Sequence, residues 1–253
     1  MRIGPAGRAA QDGWAGTSRL HARLLHFDYL FRMEHHLTVA RTARYQQLGE
    51  VSATTRRLWL VCHGYGQLAA YFVRHFAFLA EADPATVIIA PEGLSRFYLT
   101  GNGGRVGASW MTRDDRLHEI ADHINFLNQL SAKVLANCSA DVQVTVLGFS
   151  QGTATVCRWL AQAAFRPAQL ILWAGSFPDD LAPDTAQRLL QHLPLTLVVG
   201  TEDEYISPSQ AAAVRQQLQL LGATPRLLTF PGKHELNRTV LAELAQLGAP
   251  THK

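Results

Sequence analysis

Ser150 stands in Gly148-Phe149-Ser150-Gln151-Gly152, Asp203 in Gly200-Thr201-Glu202-Asp203-Glu204, and His234 in Pro231-Gly232-Lys233-His234. A serine hydroxyl attacks an acyl carbon only when a base takes its proton, and that base must be held in one tautomer by a further group. These three residue types, in the chain order nucleophile, acid, base, supply that set. Glu202 and Glu204 flank Asp203, and the turn pattern Gly-Thr-x-Asp favours Asp203 as the orienting acid, with both glutamates expected to be solvated loop charges. The tetrahedral intermediate also needs N–H donors for its oxyanion. The backbone N–H of Gln151, next after the serine, is one candidate, and that of Tyr65 in His63-Gly64-Tyr65-Gly66 is the other.

Each of these residues follows a segment that reads as a buried strand: 58–62 before His63, 142–147 before Ser150, 195–199 before Asp203 and 226–230 before His234. In parallel sheets reactive groups gather at the carboxyl ends of the strands. Further strands are expected at 86–90 and 170–174, and alternation over 37–45 predicts an exposed edge strand. Helices are expected after Gln67 (through Phe72, Phe76 and Leu79), from Thr153 to Leu160, over 209–221 and over 237–247. A long helix is expected over 113–137, with Leu117, Ile120, Ile124, Leu127, Leu130 and Val134 on one stripe. Strands alternating with helices imply an α/β fold with a mostly parallel, doubly wound sheet covered by helices on both faces. The stretch 93–111 has no regular period. Its Phe97, Tyr98, Trp110 and Met111 are candidates for a substrate pocket, with simple packing of a loop on the core as the competing reading.

With 253 residues, 47% hydrophobic and 17% charged, the chain suits one large globular domain. No apolar run approaches the roughly 20 residues that span a bilayer. Residues 1–32 hold five arginines against Asp12 and Asp28, which accounts for the whole net charge of +3 and leaves the remainder neutral. A neutral body gives no electrostatic footprint for nucleic acid. That segment reads as a disordered or mis-started extension, with the functional domain running from about Met33 to the end of the chain. Cys62, Cys138 and Cys157 are odd in number and far apart, which suggests neither a zinc site nor a disulfide framework but reduced thiols and a cytoplasmic setting. His118-Glu119-Ile120-Ala121-Asp122-His123 misses the four-residue spacing that puts two metal ligands on one helix face. His35-His36 are expected to be solvated, and the glycine-rich 101–107 follows no strand that would make it a phosphate cradle. No metal or organic cofactor is expected.

His63-Gly64-Tyr65-Gly66, Ser109-Trp110-Met111, Gly148-Phe149-Ser150-Gln151-Gly152, Gly200-Thr201-Glu202-Asp203 and the terminal His234 together resemble the phospholipase/carboxylesterase family of α/β-hydrolases, which includes acyl-protein thioesterases and small bacterial carboxylesterases. The resemblance covers about residues 58–247. It implies hydrolysis of carboxylic esters or thioesters on small-molecule or lipid-like acyl substrates, through Ser150, Asp203 and His234, with Tyr65 and Gln151 as oxyanion donors and no cofactor. Gln67, Thr112 and Thr153 depart from the acidic, acidic and glycine residues usual in the thioesterases, differences that bear on an acyl-protein substrate rather than on the hydrolytic chemistry. A serine peptidase or acyltransferase on the same scaffold, and a catalytically silent ligand binder, are the alternative readings; a homo-oligomer is compatible with all of them.

Overall fold

Strands β2 (Arg57–Cys62), β3 (Thr86–Pro91) and β6 (Gln143–Phe149) are almost wholly apolar and buried on both faces, as strands of a parallel sheet sandwiched between helices must be. In the computed structural model, which describes residues 33–247, they join β1 (Tyr45–Leu48), β7 (Gln169–Trp173), β8 (Leu195–Gly200) and β9 (Arg226–Phe230) in a seven-stranded sheet of order β1-β3-β2-β6-β7-β8-β9. Every pairing is parallel except that of β1 with β3 at the edge. The chain runs outward from β2 to β3 and then crosses to place β6 on the other side of β2. The β2/β6 boundary is therefore a switch point, the place where open α/β sheets leave a crevice at their carboxyl ends. Ser150 and the 63–66 loop leave the sheet at that boundary.

Alternation along each strand feeds two cores. Leu58, Leu60 and Cys62 of β2 face α3 (Arg116–Leu135), α4 (Gln151–Leu160), α5 (Pro183–Leu190) and α6 (Pro208–Leu220). Trp59 and Val61 face the opposite layer, made by α1 (Ala69–Phe72), a 3₁₀ turn over Val73–Phe76, α2 (Ala77–Ala82) and α7 (Arg238–Leu247). Phe72, Phe76 and Leu79 are all buried as the spacing predicts, but the helix carrying them is broken in three. None of the helices among the described residues is long and apolar enough to cross a membrane.

The structure corrects four expectations from the sequence. The edge strand expected over 37–45 forms instead at Tyr45–Leu48, because Leu37 and Val39 find no apolar face and stay 85% and 71% exposed. Leu117 is 75% exposed and lies off the buried stripe of α3, whereas His123 lies on it. The irregular 93–111 stretch is a hairpin, β4 (Ser95–Thr100) and β5 (Gly103–Ser109), forming a separate two-stranded sheet. Helix α5 had no counterpart in the sequence reading. The described residues divide into two units, 33–42 and 43–247. The first, with His35 and His36, is exposed and without regular structure. The extension expected over 1–32 lies outside the described residues.

Candidate active site

Ser150 ends β6 and opens α4 with φ 53° and ψ −117°, a conformation seldom occupied by a residue with a side chain. Its surroundings force that turn. The Ser150 N–H donates to the Trp173 carbonyl at 2.8 Å, tying the elbow to β7. The Thr153 hydroxyl lies 2.7 Å from the Ser150 carbonyl and 3.0 Å from that of Ser176. The flanking Gly152 lets helix and strand meet: a Cβ there would stand 2.3 Å from the Cys62 carbonyl oxygen.

The 63–67 loop lies against this elbow, since a Cβ on Gly64 would be 3.1 Å from the Ser150 Cβ. His63 is fully buried. Its Nδ1–H donates to the Gly64 carbonyl at 2.8 Å, and its Nε2 accepts the Gly93 N–H at 3.0 Å. Both bonds suit the neutral ring, and burial lowers the affinity of His63 for a proton. Gln67 Oε1 accepts the Gly64 N–H at 2.8 Å, and β5 pairs with the loop through Gly66 N–H to the Ala108 carbonyl and Ala108 N–H to that of Gln67. Among the described residues, neither the Tyr65 nor the Gln151 backbone N–H donates to a protein acceptor. Two donors are thus left open beside Ser150.

On the β8–β9 side the three acids of the 202–204 turn separate. Glu202 and Glu204 are exposed, and Asp203 is 8% exposed. Asp203 Oδ1 accepts the N–H groups of Tyr205 and Ile206, both at 2.9 Å. His234 Nδ1 lies 2.9 Å from Oδ2 and 3.1 Å from Oδ1. The imidazole therefore carries its proton on Nδ1 and presents Nε2 as a base. The ring sits between Tyr205 (4.7 Å between centroids) and Phe149 (4.9 Å), the residue before Ser150. No hydrogen bond joins the Ser150 hydroxyl to Nε2 among the described residues; in ligand-free sites such bonds commonly tighten only around substrate.

Gly200 permits the close approach of the two loops. A Cβ at 200 would stand 2.3 Å from the Gly232 carbonyl oxygen and 2.5 Å from that of Lys233. Gly200→Ala is expected to push the 232–234 loop away, costing about 1–3 kcal/mol of stability. A shift of about 1 Å in the imidazole is expected to cost on the order of 100-fold in any proton transfer it makes with Ser150. Melting temperature and the rate at which a fluorophosphonate labels Ser150, measured together, check both effects; an alanine variant unchanged in labelling rate would contradict this account.

Of the pocket candidates, Phe97 stacks on Tyr65 at 5.1 Å between centroids, and Tyr98 is exposed on the outside of the hairpin. Trp110 is 1% exposed and gives its indole N–H to the His63 carbonyl at 2.8 Å, so it supports the loop from behind. Met111 is half-buried. A cavity of about 330 Å³ near Leu160, Phe165 and Leu189 lies at the opposite, amino-terminal end of β7, away from these groups.

Four supporting residues escaped the sequence reading. The Gln151 side chain spans Ser109–Met111, accepting the Trp110 N–H at 3.1 Å and donating to the Met111 carbonyl at 2.8 Å. Glu92, 2% exposed, accepts from Arg44 Nε at 2.6 Å and from the Ala69 N–H at 3.2 Å, anchoring the helix after the 63–67 loop. Trp173 gives its indole N–H to the Glu235 carbonyl at 2.9 Å, fixing the turn beyond His234. An acid ending an apolar strand, as in Pro91-Glu92, was the one available signal.

His123 is the fourth. The two ends of the near-metal motif part: His118 is exposed, whereas His123 is buried with Nδ1 3.3 Å from the Trp110 carbonyl. Burial, helped by the charge of Arg158, lowers His123 from 6.5 to about 4. The unfolded chain takes up this proton below about pH 6.5 and the native state only near 4. This contribution is therefore complete above 6.5 and is lost as pH falls to 4, on the order of 3 kcal/mol. Urea denaturation at pH 7 and pH 4.5 is expected to show that loss in the native chain and a much smaller one in His123→Asn.

The profile of the phospholipase/carboxylesterase family matches residues 48–247. Among solved structures, esterase PE8 is similar with TM-score 0.61 at 21% identity, covering 82% of this chain and 98% of that one. Zea mays acyl-protein thioesterase 2 gives TM-score 0.63 at 18% identity, covering 81% and 97%. A phospholipase/carboxylesterase from Dyadobacter fermentans DSM 18053 gives 0.57 at 16%, covering 83% and 98%. No curated protein matches the chain.

Proposed function

Since the chain belongs to the phospholipase/carboxylesterase family and has its α/β-hydrolase fold, we propose that it is a serine esterase working through Ser150, His234 and Asp203. The observation that carries this reading is the His234 Nδ1 to Asp203 contact of 2.9 Å, with the imidazole packed on the residue preceding Ser150. His234 Nε2 takes the Ser150 proton as Oγ attacks the acyl carbon. The oxyanion that forms lies between the open N–H groups of Tyr65 and Gln151, where preorganised donors cost no reorganisation. Imidazolium, stabilised by Asp203, then protonates the leaving alcohol or thiol. Water, deprotonated by the same imidazole, frees the acid from the acyl-enzyme.

Carboxylic esters are the substrates this arrangement fits first, with thioesters and lysophospholipids as finer possibilities of the same chemistry. The test is covalent labelling of purified protein with a fluorophosphonate, read by mass spectrometry of the peptide bearing Ser150, alongside turnover of short p-nitrophenyl esters. Labelling at Ser150 with ester turnover supports the reading. A silent hydrolase-fold binder gives neither, and a peptidase turns over peptide amides at comparable rates.

A further inference from the structure

His234 must deliver a proton to the leaving group, so that group occupies the side of the site bounded by Tyr205. The acyl chain is left with the other side, along α4. Gln151, Ala154 and Arg158 are spaced i, i+3, i+7 and share one stripe of that helix. The two long side chains reach away from the stripe at either end. Gln151 holds the Met111 carbonyl, and Arg158 NH1 lies 3.9 Å from the Met111 sulfur. On the other wall Thr153 holds Ser176, and Arg158 Nε lies 3.0 and 3.1 Å from the two oxygens of Asp180. Between them Ala154 is small and only half-buried. From Gln151 to Arg158 this stripe runs roughly 10 Å by helix rise and ends at a guanidinium.

That end sets two arginines against two aspartates. Arg116 NH2 lies 2.6 Å from Asp180 Oδ2, so two arginines share one well-placed carboxylate; Asp179, 4.0 Å from Arg116, is 91% exposed. Glu119 is engaged elsewhere, by the Ser95 hydroxyl and the Thr112 N–H. Three buried side-chain polar atoms among the described residues lack a partner, and two of them belong here: Arg116 Nε and His123 Nε2. Arg158 NH2 has no protein partner and is not among those three, so it meets solvent although the side chain is only 8% exposed.

We propose that the acyl chain lies along this stripe, that Arg158, backed by Arg116, is an anion subsite at its far end, and that the preferred acyl chains end in a carboxylate. This rests on the esterase reading and specifies its substrate class. A guanidinium offers a planar pair of N–H donors that matches a carboxylate, and its partial burial keeps the interaction from being screened away.

The test compares p-nitrophenyl hexanoate with mono-p-nitrophenyl adipate, alike in length and different in the terminal charge. The native chain is expected to favour the adipate ester in kcat/KM by about 10- to 100-fold, the value of one charge-assisted hydrogen-bonded contact. Arg158→Met should collapse that ratio. Because it also strips Asp180 of a partner, Asp180→Asn is the second variant: it frees both arginines and should raise the ratio. Equal kcat/KM values in the native chain, or a preference untouched by both variants, overturns the subsite. Calorimetric titration of Ser150→Ala protein with monomethyl adipate and with methyl hexanoate decides the same question without turnover. Tighter binding of the adipate supports the subsite even if neither ester is hydrolysed, a result that would count against the esterase reading alone; equal binding overturns it.

Discussion

Ser150→Ala is expected to lower kcat for p-nitrophenyl butyrate by on the order of 10⁴- to 10⁶-fold and to abolish fluorophosphonate labelling, while the melting temperature stays where it was. The magnitude follows from losing the covalent route altogether, since what survives comes only from binding and the oxyanion donors. Stability is preserved because alanine keeps the backbone strain at φ 53°, ψ −117° and removes only a half-buried hydroxyl that bonds to no protein group. Ser150→Gly separates the two effects. It is equally inactive, but glycine relaxes the strained turn, worth about 1–3 kcal/mol, against about 1 kcal/mol of extra unfolded-state freedom. The glycine variant is thus expected to melt higher than the alanine variant. An alanine variant retaining ester hydrolysis would remove Ser150 from the reaction and, with it, the role given to His234.

The parts of the molecule legible beforehand are those where local chemistry and global position agree. Strands buried on both faces announce themselves as apolar runs, so β2, β3, β6, β7, β8 and β9 were all visible, and the residues leaving the carboxyl ends of β2, β6, β8 and β9 were site candidates. The misses arise where a residue's meaning depends on a distant partner. The alternation of 37–45 is a sound strand pattern with no sheet face to receive it. The β4–β5 hairpin has little buried face, with Tyr98, Leu99 and Val106 all exposed, so its period was unreadable even though Asn102-Gly103 is a turn pair. Glu92, Gln151 and Trp173 act through hydrogen bonds reaching 23 to 62 residues along the chain. Arg158 carries no signal of its own in the sequence, because its partners Asp180 and Met111 lie 22 and 47 residues away. Thr153, set apart only as a departure from the family pattern, proves to link Ser150 to the Ser176 loop.

Asp203→Asn is the substitution in which geometry and chemistry separate most sharply. Oδ1 of Asp203 is pinned by the N–H groups of Tyr205 and Ile206, and Oδ2 is the atom 2.9 Å from His234 Nδ1. An asparagine must keep its carbonyl oxygen on the two N–H donors, because turning its amide would set donors against donors. Its NH₂ group then occupies the place of Oδ2 and donates to Nδ1. That forces the imidazole proton onto Nε2, where the ring can no longer accept a proton from Ser150. The side chain stays in place and the base is lost, so kcat is expected to fall by about 10³- to 10⁴-fold with little change in melting temperature. The ¹⁵N shifts of His234 should report the proton moving from Nδ1 to Nε2. Glu202→Gln and Glu204→Gln, altering exposed charges in the same turn, are expected to leave kcat near the native value. If instead one of those glutamine variants were the inactive one, the orienting acid would be misassigned and the tautomer argument would fail with it.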